Sequence, residues 1–558
     1  MDLPALRCGS GWVWRAQDGS RRVACSLAAL SLALGASTAS GETLADAIAL
    51  AYQSNPSLQS ARVQLRELDE RYVQARAGFG PSAQIQVQAS EGETPQTLPF
   101  FGTIDQLATT GSAAVSLTQP LYTGGRTTTD TRAALADIAA GRQELRGIEA
   151  QVLQKVIQAY EDVRRDEQIL QFRDQQVRSL SDHLADAELR FKAGEITRTD
   201  VEQSDAELES ARSDLQLAAG QLQVSRSAYA AVVGQNPGDL APEPPLPGLP
   251  ASVEEAFEIA GTMNPSLLQA QAAEHASSVR IERAQAEYRP SVSFSASYGY
   301  VSPLQTFHVG PDVLGYSVGV TVTQPLFTSG ATRSKVREAS EANTVDRINI
   351  EAARRGMAQA ISQAWNQVIA ARASAELGEK AVASAQSYVA DTRSEYQIGQ
   401  RSTLDVVYSE QSLTNARISL AQARHDAYVA ESELLAAVGR LQADRLLVDA
   451  PLYDPKAAFN KVRNKGAAPW EGAVAIVDSL GVPGRGRARP IAAPAIDAAP
   501  QTPAGEAIPD DAPLATQVPK TPLPNTTSPK TPATVGALSN DPAGPPRPVA
   551  GTPAGAAP

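Results

Sequence analysis

Residues 82–90 of the 558-residue chain read SAQIQVQAS. Ala83, Ile85, Val87 and Ala89 alternate with Gln84, Gln86 and Gln88, the period of a strand with one apolar and one polar face. Such a strand can rest on a protein core, or it can turn one face to lipid and the other to a wet pore. The fold depends on which of the two holds.

The same alternation recurs further along. Ala113, Val115 and Leu117 alternate with Ser112, Ser116 and Thr118. Val292, Phe294, Ala296 and Tyr298 alternate with serines at 291, 293, 295 and 297, and Tyr316, Val318, Val320 and Val322 with Ser317, Gly319, Thr321 and Thr323. Four strands are expected, at about 81–91, 111–119, 290–300 and 314–324. They come in pairs because the chain is duplicated. NPSL at Asn55 returns at Asn264, and Pro81 returns as Pro290, an offset of 209 in each case (264−55, 290−81). LTQPLYTGG and VTQPLFTSG align Gln119 with Gln324, Gly194 aligns with Gly399 and Gly234 with Gly439, all at 205 (324−119). The offset changes only between the two strands of each half, where a loop can change length at little cost.

In each copy the strands lead into a proline-free run, about 125–191 and 330–396. A helix of that length is roughly 100 Å at about 1.5 Å per residue, too long for a compact domain. A glycine turn follows (Gly194, Gly399), then a return helix at about 198–234 or 402–438. Val201, Leu208, Leu215, Leu222 and Tyr229 recur every seventh residue, as do Val406, Leu413, Leu420, Ala427 and Leu434. That is the stripe of an antiparallel coiled coil. Small residues three positions further on (Ala211, Ala218, Ala416, Ala423, Ala430) allow the close approach that a closed ring of helices needs. The organisation expected is a first repeat at 41–234, a Pro-rich linker at 235–251, a second repeat at 252–439, a segment at 440–468, and a disordered Pro/Ala-rich tail at 469–558.

Composition narrows the function. A net charge of −12 argues against a nucleic-acid partner, whose phosphates need clustered Lys and Arg. Arg21 and Arg22, the apolar run VACSLAALSLAL at 23–34 and the small residues GASTAS give residues 1–40 the pattern of an export signal. Both cysteines, Cys8 and Cys25, fall inside it, so the mature chain is expected to lack disulfides. No other apolar run is long enough for a helical span, so a membrane crossing would use strands. No nucleotide, zinc-protease or hydrolase motif is present, His183, His275, His308 and His425 are scattered and expected to be solvated, and neither an enzyme activity nor a cofactor is expected.

Four strands are too few to close a barrel, for which about eight are needed, and as an open sheet they leave two bare edges. Oligomeric closure in an outer membrane resolves this, with the apolar set facing lipid: Ile85, Val87, Val115, Leu117, Val292, Phe294, Tyr298, Val318, Val320 and Val322. The uncharged polar face favours this over a soluble core. A soluble periplasmic coiled-coil scaffold is the alternative; it accounts for the helices but not for the strands.

The duplication, the QPL[YF]x[GS]G lead-in to each long helix, and the turns FKAGEITRTDV and YQIGQRSTLDVV together resemble the TolC family of outer-membrane efflux channels over residues 42 to about 450. The resemblance implies a mainly α protein with a small β part: a homotrimer whose three sets of four strands form one 12-stranded transmembrane β-barrel, continued as a long periplasmic α-helical barrel. It implies an exit duct of tripartite efflux or type I secretion. Its partners would be outer-membrane lipid, a periplasmic adaptor (membrane fusion) protein and an inner-membrane ABC, RND or MFS transporter. It implies that the turns at Gly194 and Gly399 dock the adaptor. It also implies a periplasmic gate in which Tyr396 and Arg401 bond across to Thr199 and Asp200, while Asp405 supplies an acidic ring at the constriction. The chain departs from the family where Tyr408 stands in place of a second pore aspartate.

Overall fold

A computed structural model describes residues 41–98, 102–303, 314–447, 451–480 and 482. The expected export signal, residues 448–450 and most of the tail lie outside the described residues. Each repeat opens with two short helices: α1 (Leu44–Ser54) and α2 (Pro56–Ala77) in the first, α5 (Val253–Met263) and α6 (Pro265–Ala286) in the second. Asn55 and Asn264 cap the second helix of each pair, with Pro at the first helical position, where its missing N–H costs nothing.

The strands are β1 (Ser82–Leu98), β2 (Gly102–Tyr122), β3 (Ser291–Pro303) and β4 (Leu314–Thr323), one antiparallel sheet in the order β1-β2-β3-β4. β1 and β2 run well past the expected 81–91 and 111–119, pairing as far as Leu98 with Gly102. Beyond Ser90 the apolar alternation fades, but backbone pairing continues without it.

Past the sheet come α3 (Arg126–Ala193) and its return helix α4 (Arg198–Val233), then α7 (Ala331–Gln397) and its return helix α8 (Thr403–Val438). At 68 and 67 residues, α3 and α7 each span about 100 Å. α3 packs against α2 and α6 near the sheet and against α4 and α8 farther away, while α7 packs against α6 and then α8. The wall is therefore four helices wide throughout, with α3 inside it and α7 along one edge. The main core sits midway, where α1 closes over Val156, Ile157, Tyr160 and Tyr229. The Tyr160 hydroxyl lies 2.9 Å from the Glu42 carbonyl and 2.6 Å from that of Ala241, and Tyr229 donates to Glu42 Oε1, joining the segment just before α1 to the linker.

After α8 come α9 (Ala443–Leu446), α10 (Pro455–Val462) and α11 (Glu471–Ser479). α11 corrects the expectation of a disordered tail from residue 469. It is held by Asp478, which is fully buried and accepts from the backbone N–H groups of Thr123, Gly125 and Thr128 and from the Thr123 and Thr128 hydroxyls. These are the unpaired donors at the start of α3, whose own N-cap, Gly125, has no side chain to satisfy them. Burial works against the Asp478 carboxylate, but these bonds outweigh it and hold its pKa below the usual value.

Candidate functional site

Two regions carry the expected functional residues: the sheet and the far ends of the helical hairpins. In the sheet, register decides which side chains share a face. Ile85 lies opposite Val115, Val115 opposite Tyr298 and Tyr298 opposite Tyr316. Leu117 lies opposite Ala296 and Ala296 opposite Val318, while Phe294 meets Val320 and Val292 meets Val322. Val87, two residues from Ile85, shares its face. All ten residues expected to face lipid thus fall on one side of the sheet. The other side pairs Gln84 with Ser116 and Ser297 with Ser317, whose hydroxyls are 2.8 Å apart. The apolar side is open in the single chain, with Ile85 76% and Val320 61% exposed.

At the far end, Gly194 and Gly399 adopt φ of +80° and +77°, the left-handed conformation that favours glycine. Thr197 and Ser402 then cap α4 and α8. Each forms a reciprocal capping box with the acid three residues on, Asp200 or Asp405. Part of what these two acids do is therefore structural. Among the described residues, Tyr396 and Arg401 do not bond Thr199 or Asp200, a correction for contacts within one chain. Instead the Tyr396 hydroxyl donates to Asp186 Oδ2 at 3.0 Å, the Arg190 guanidinium sits 4.9 Å from its ring centre, and Arg190 pairs with Asp186 at 2.9 Å. Arg401 pairs with Glu395 at 2.8 Å. Tyr396 thus ties the second hairpin to the first through α3. Asp186 and Arg190 were missed in the sequence, where an acid–base pair four apart reads as ordinary helix surface.

Farther from the tip, a second tie joins the hairpins. Glu410 of α8 accepts from Ser179 (2.5 Å) and from His183 (3.2 Å) of α3, and from Arg393 (2.5 Å) of α7. Burial alone would raise the pKa of Glu410; these donors instead bring it down to about 2. A third tie is His425, whose Nε2 lies 2.9 Å from Asp162 on α3 and whose Nδ1 lies 2.9 Å from Asp426. The expectation that the histidines are solvated is corrected for His183 and His425, while His308 lies outside the described residues.

Burial works against the charged form of His425, but Asp162 and Asp426 outweigh it and raise its pKa above the usual 6.5. A raised pKa contributes stability that is complete below the unfolded value and is lost as pH rises through the folded one. The thermal midpoint of His425→Gln is therefore expected to lie furthest below wild type at pH below the ordinary imidazole value of about 6.5 and to approach it as pH rises past the raised folded value. A midpoint difference that stays constant across this range would deny His425 its charge.

Comparison with known proteins accords with this geometry. The profile described as "Outer membrane efflux protein" matches residues 47–235 and 258–440, one stretch in each repeat. The outer membrane efflux protein BepC of Brucella suis is 31% identical over 443 residues, covering 79% of this chain and 95% of BepC. The outer membrane protein TolC of Vibrio cholerae is 26% identical, covering 77% and 97%. Among solved structures, the Campylobacter jejuni CmeC outer membrane channel superposes with a TM-score of 0.64 at 15% identity, covering 75% of this chain and 89% of CmeC, which speaks to the fold. The chain therefore belongs to the outer membrane efflux protein family and is a TolC-like outer-membrane exit duct, not an enzyme.

Proposed function

We propose that three copies of the chain close one barrel, with the ten-residue apolar face in the outer-membrane lipid and the Gln/Ser/Thr face lining the pore. Substrates then leave through a helical tunnel fed by a periplasmic adaptor and an inner-membrane ABC, RND or MFS transporter. The observation that carries this is the uninterrupted apolar ladder across all four strands. The bare edges support it. Among the described residues β1 and β4 each lack a partner on one side, and the outer helices carry exposed apolar residues, among them Val63 of α2, Leu217 and Val224 of α4, and Val345, Ile348 and Leu377 of α7. A soluble scaffold would leave both the ladder and these edges in water.

The adaptor is proposed to dock on the turns at Gly194 and Gly399. A Cβ built at either glycine meets no atom within 4 Å, so a larger residue is limited only by backbone strain of about 1–2 kcal/mol. Gly194→Gln with Gly399→Gln is expected to leave trimer yield unchanged while sharply reducing adaptor crosslinking and export. Undiminished crosslinking and export would make the turns mere helix ends.

A further inference from the structure

α11 is built inside out. Its buried residues are Glu471, Val474 and Asp478, so two of the three side chains turned inward are carboxylates. Its outward residues are Ala473, Ile476, Val477 and Leu480, all exposed and spaced i, i+3, i+4, i+7, a complete apolar stripe. Leu480 is 80% exposed, and Trp470 stands out just before the helix. A short helix whose apolar side faces away from its own chain needs an apolar surface outside that chain.

Its position identifies that surface. Asp478 ties α11 to the end of β2 and the start of α3, the level at which the sheet gives way to the helical wall. Trp470 fixes the side: its Nε1 donates to Gln119 Oε1 at 3.0 Å. Gln119 continues the alternation of Val115 and Leu117 and lies opposite Phe294, so Trp470 joins the apolar face of the sheet at its lower rim. Lys461, Arg463 and Lys465, just before α11, are exposed and make no ion pair among the described residues. Among the described residues nothing equivalent stands at the second repeat. There Gln324 repeats the bond of Gln119 to the preceding segment, donating to Tyr288 as Gln119 donates to Phe79, but Gly330 caps α7 without side-chain help.

We propose that α11 is an interfacial foot, one per subunit, whose apolar stripe and Trp470 lie in the phospholipid headgroup region at the periplasmic rim of the barrel, with Lys461, Arg463 and Lys465 against anionic headgroups. This rests on the lipid assignment of the apolar sheet face. Tryptophan beside an apolar stripe and lysines suits a membrane interface. A second copy of the chain is the other apolar surface available, but copies are proposed to meet at the β1 and β4 edges, whereas α11 packs on β2 and α3, inside the sheet and the wall.

The test uses the mature trimer, which lacks the segment carrying Cys8 and Cys25, in nanodiscs of phosphatidylethanolamine and phosphatidylglycerol. An environment-sensitive fluorophore is placed on Leu480→Cys, on Ile476→Cys as a second position, and on Val320→Cys as a reference in the sheet. Lipids spin-labelled near the headgroup are expected to quench the probes at 476 and 480 at least about threefold more than aqueous iodide does. Replacing Lys461, Arg463 and Lys465 with Gln should reduce that quenching in anionic bilayers. Quenching by iodide alone would mean a solvated helix, and shielding from both quenchers would mean that a neighbouring subunit covers it; either overturns the proposal. If the probe at 320 is not reached by any lipid quencher, the sheet assignment itself fails and the foot fails with it. Lipid contact at 320 without lipid contact at 476 or 480 refutes the foot alone.

Discussion

Val318→Arg is expected to abolish assembly of the trimer in the outer membrane, while Thr321→Arg, three residues along the same strand, assembles as wild type. Both side chains are exposed in the single chain, so neither substitution disturbs a packed core. They differ only in face. Val318 lies opposite Ala296 in the apolar ladder, and Thr321 lies opposite Ser293 on the polar side. A charge held in lipid near the bilayer midplane costs about 2–4 kcal/mol. Three copies would cost about 6–12 kcal/mol, comparable with the whole folding stability of an ordinary domain. On the pore side the guanidinium stays hydrated and costs little. Heat-modifiable trimer in outer-membrane fractions reads the outcome, and equal yields for the two variants would sink the lipid assignment.

The features legible in the sequence were those with a period. A period of two fixes which face each strand residue takes, because a one-residue slip would invert the whole apolar set. The missing prolines and the heptads mark the long helices, and the duplication lets each half check the other. What was not legible was long-range pairing. Asp478 caps a helix that begins 353 residues earlier at Gly125, and nothing in the local sequence of either records the other. α11 was hidden because it is nine residues long and its composition was averaged into a Pro-rich tail. Its inward acids and outward aliphatics also invert the pattern that normally marks a packed helix. At the tip, the Thr197–Asp200 and Ser402–Asp405 spacings announce capping boxes, which the structure contains. Tyr396, Glu410 and His425 each have a partner on α3 (Asp186, His183 and Asp162), across a helix interface whose register depends on the folded wall.

Tyr396→Phe combined with Arg401→Ser is expected to raise single-channel conductance severalfold in planar bilayers, because the ties proposed to hold the tip shut are few and solvent-accessible. Within one chain, Tyr396 reaches Asp186, with Arg190 against its ring, and Arg401 reaches Glu395. Contacts of Tyr396 and Arg401 with Thr199 and Asp200 of a neighbouring copy are the proposed remainder of the gate. Asp186→Asn should therefore act in the same direction as Tyr396→Phe, and Asp200→Ala should add to both if the second contact exists. Exposed ion pairs are individually weak, so a docked adaptor could break them without unfolding the helices. Asp405 calls for a different test. The Ser402 backbone N–H and hydroxyl bond its carboxylate and keep its pKa below the usual value, so it is ionised at neutral pH even while it caps α8. Asp405→Asn keeps an oxygen acceptor for the cap and removes only the charge. If three such charges ring the constriction, the trimer should be blocked by a trivalent cation such as hexamminecobalt, and Asp405→Asn should relieve the block while the thermal midpoint stays close to wild type. Unchanged conductance in the first variants together with undiminished block in Asp405→Asn would reduce these residues to helix caps and surface pairs, and the constriction would have to be sought elsewhere along the tunnel.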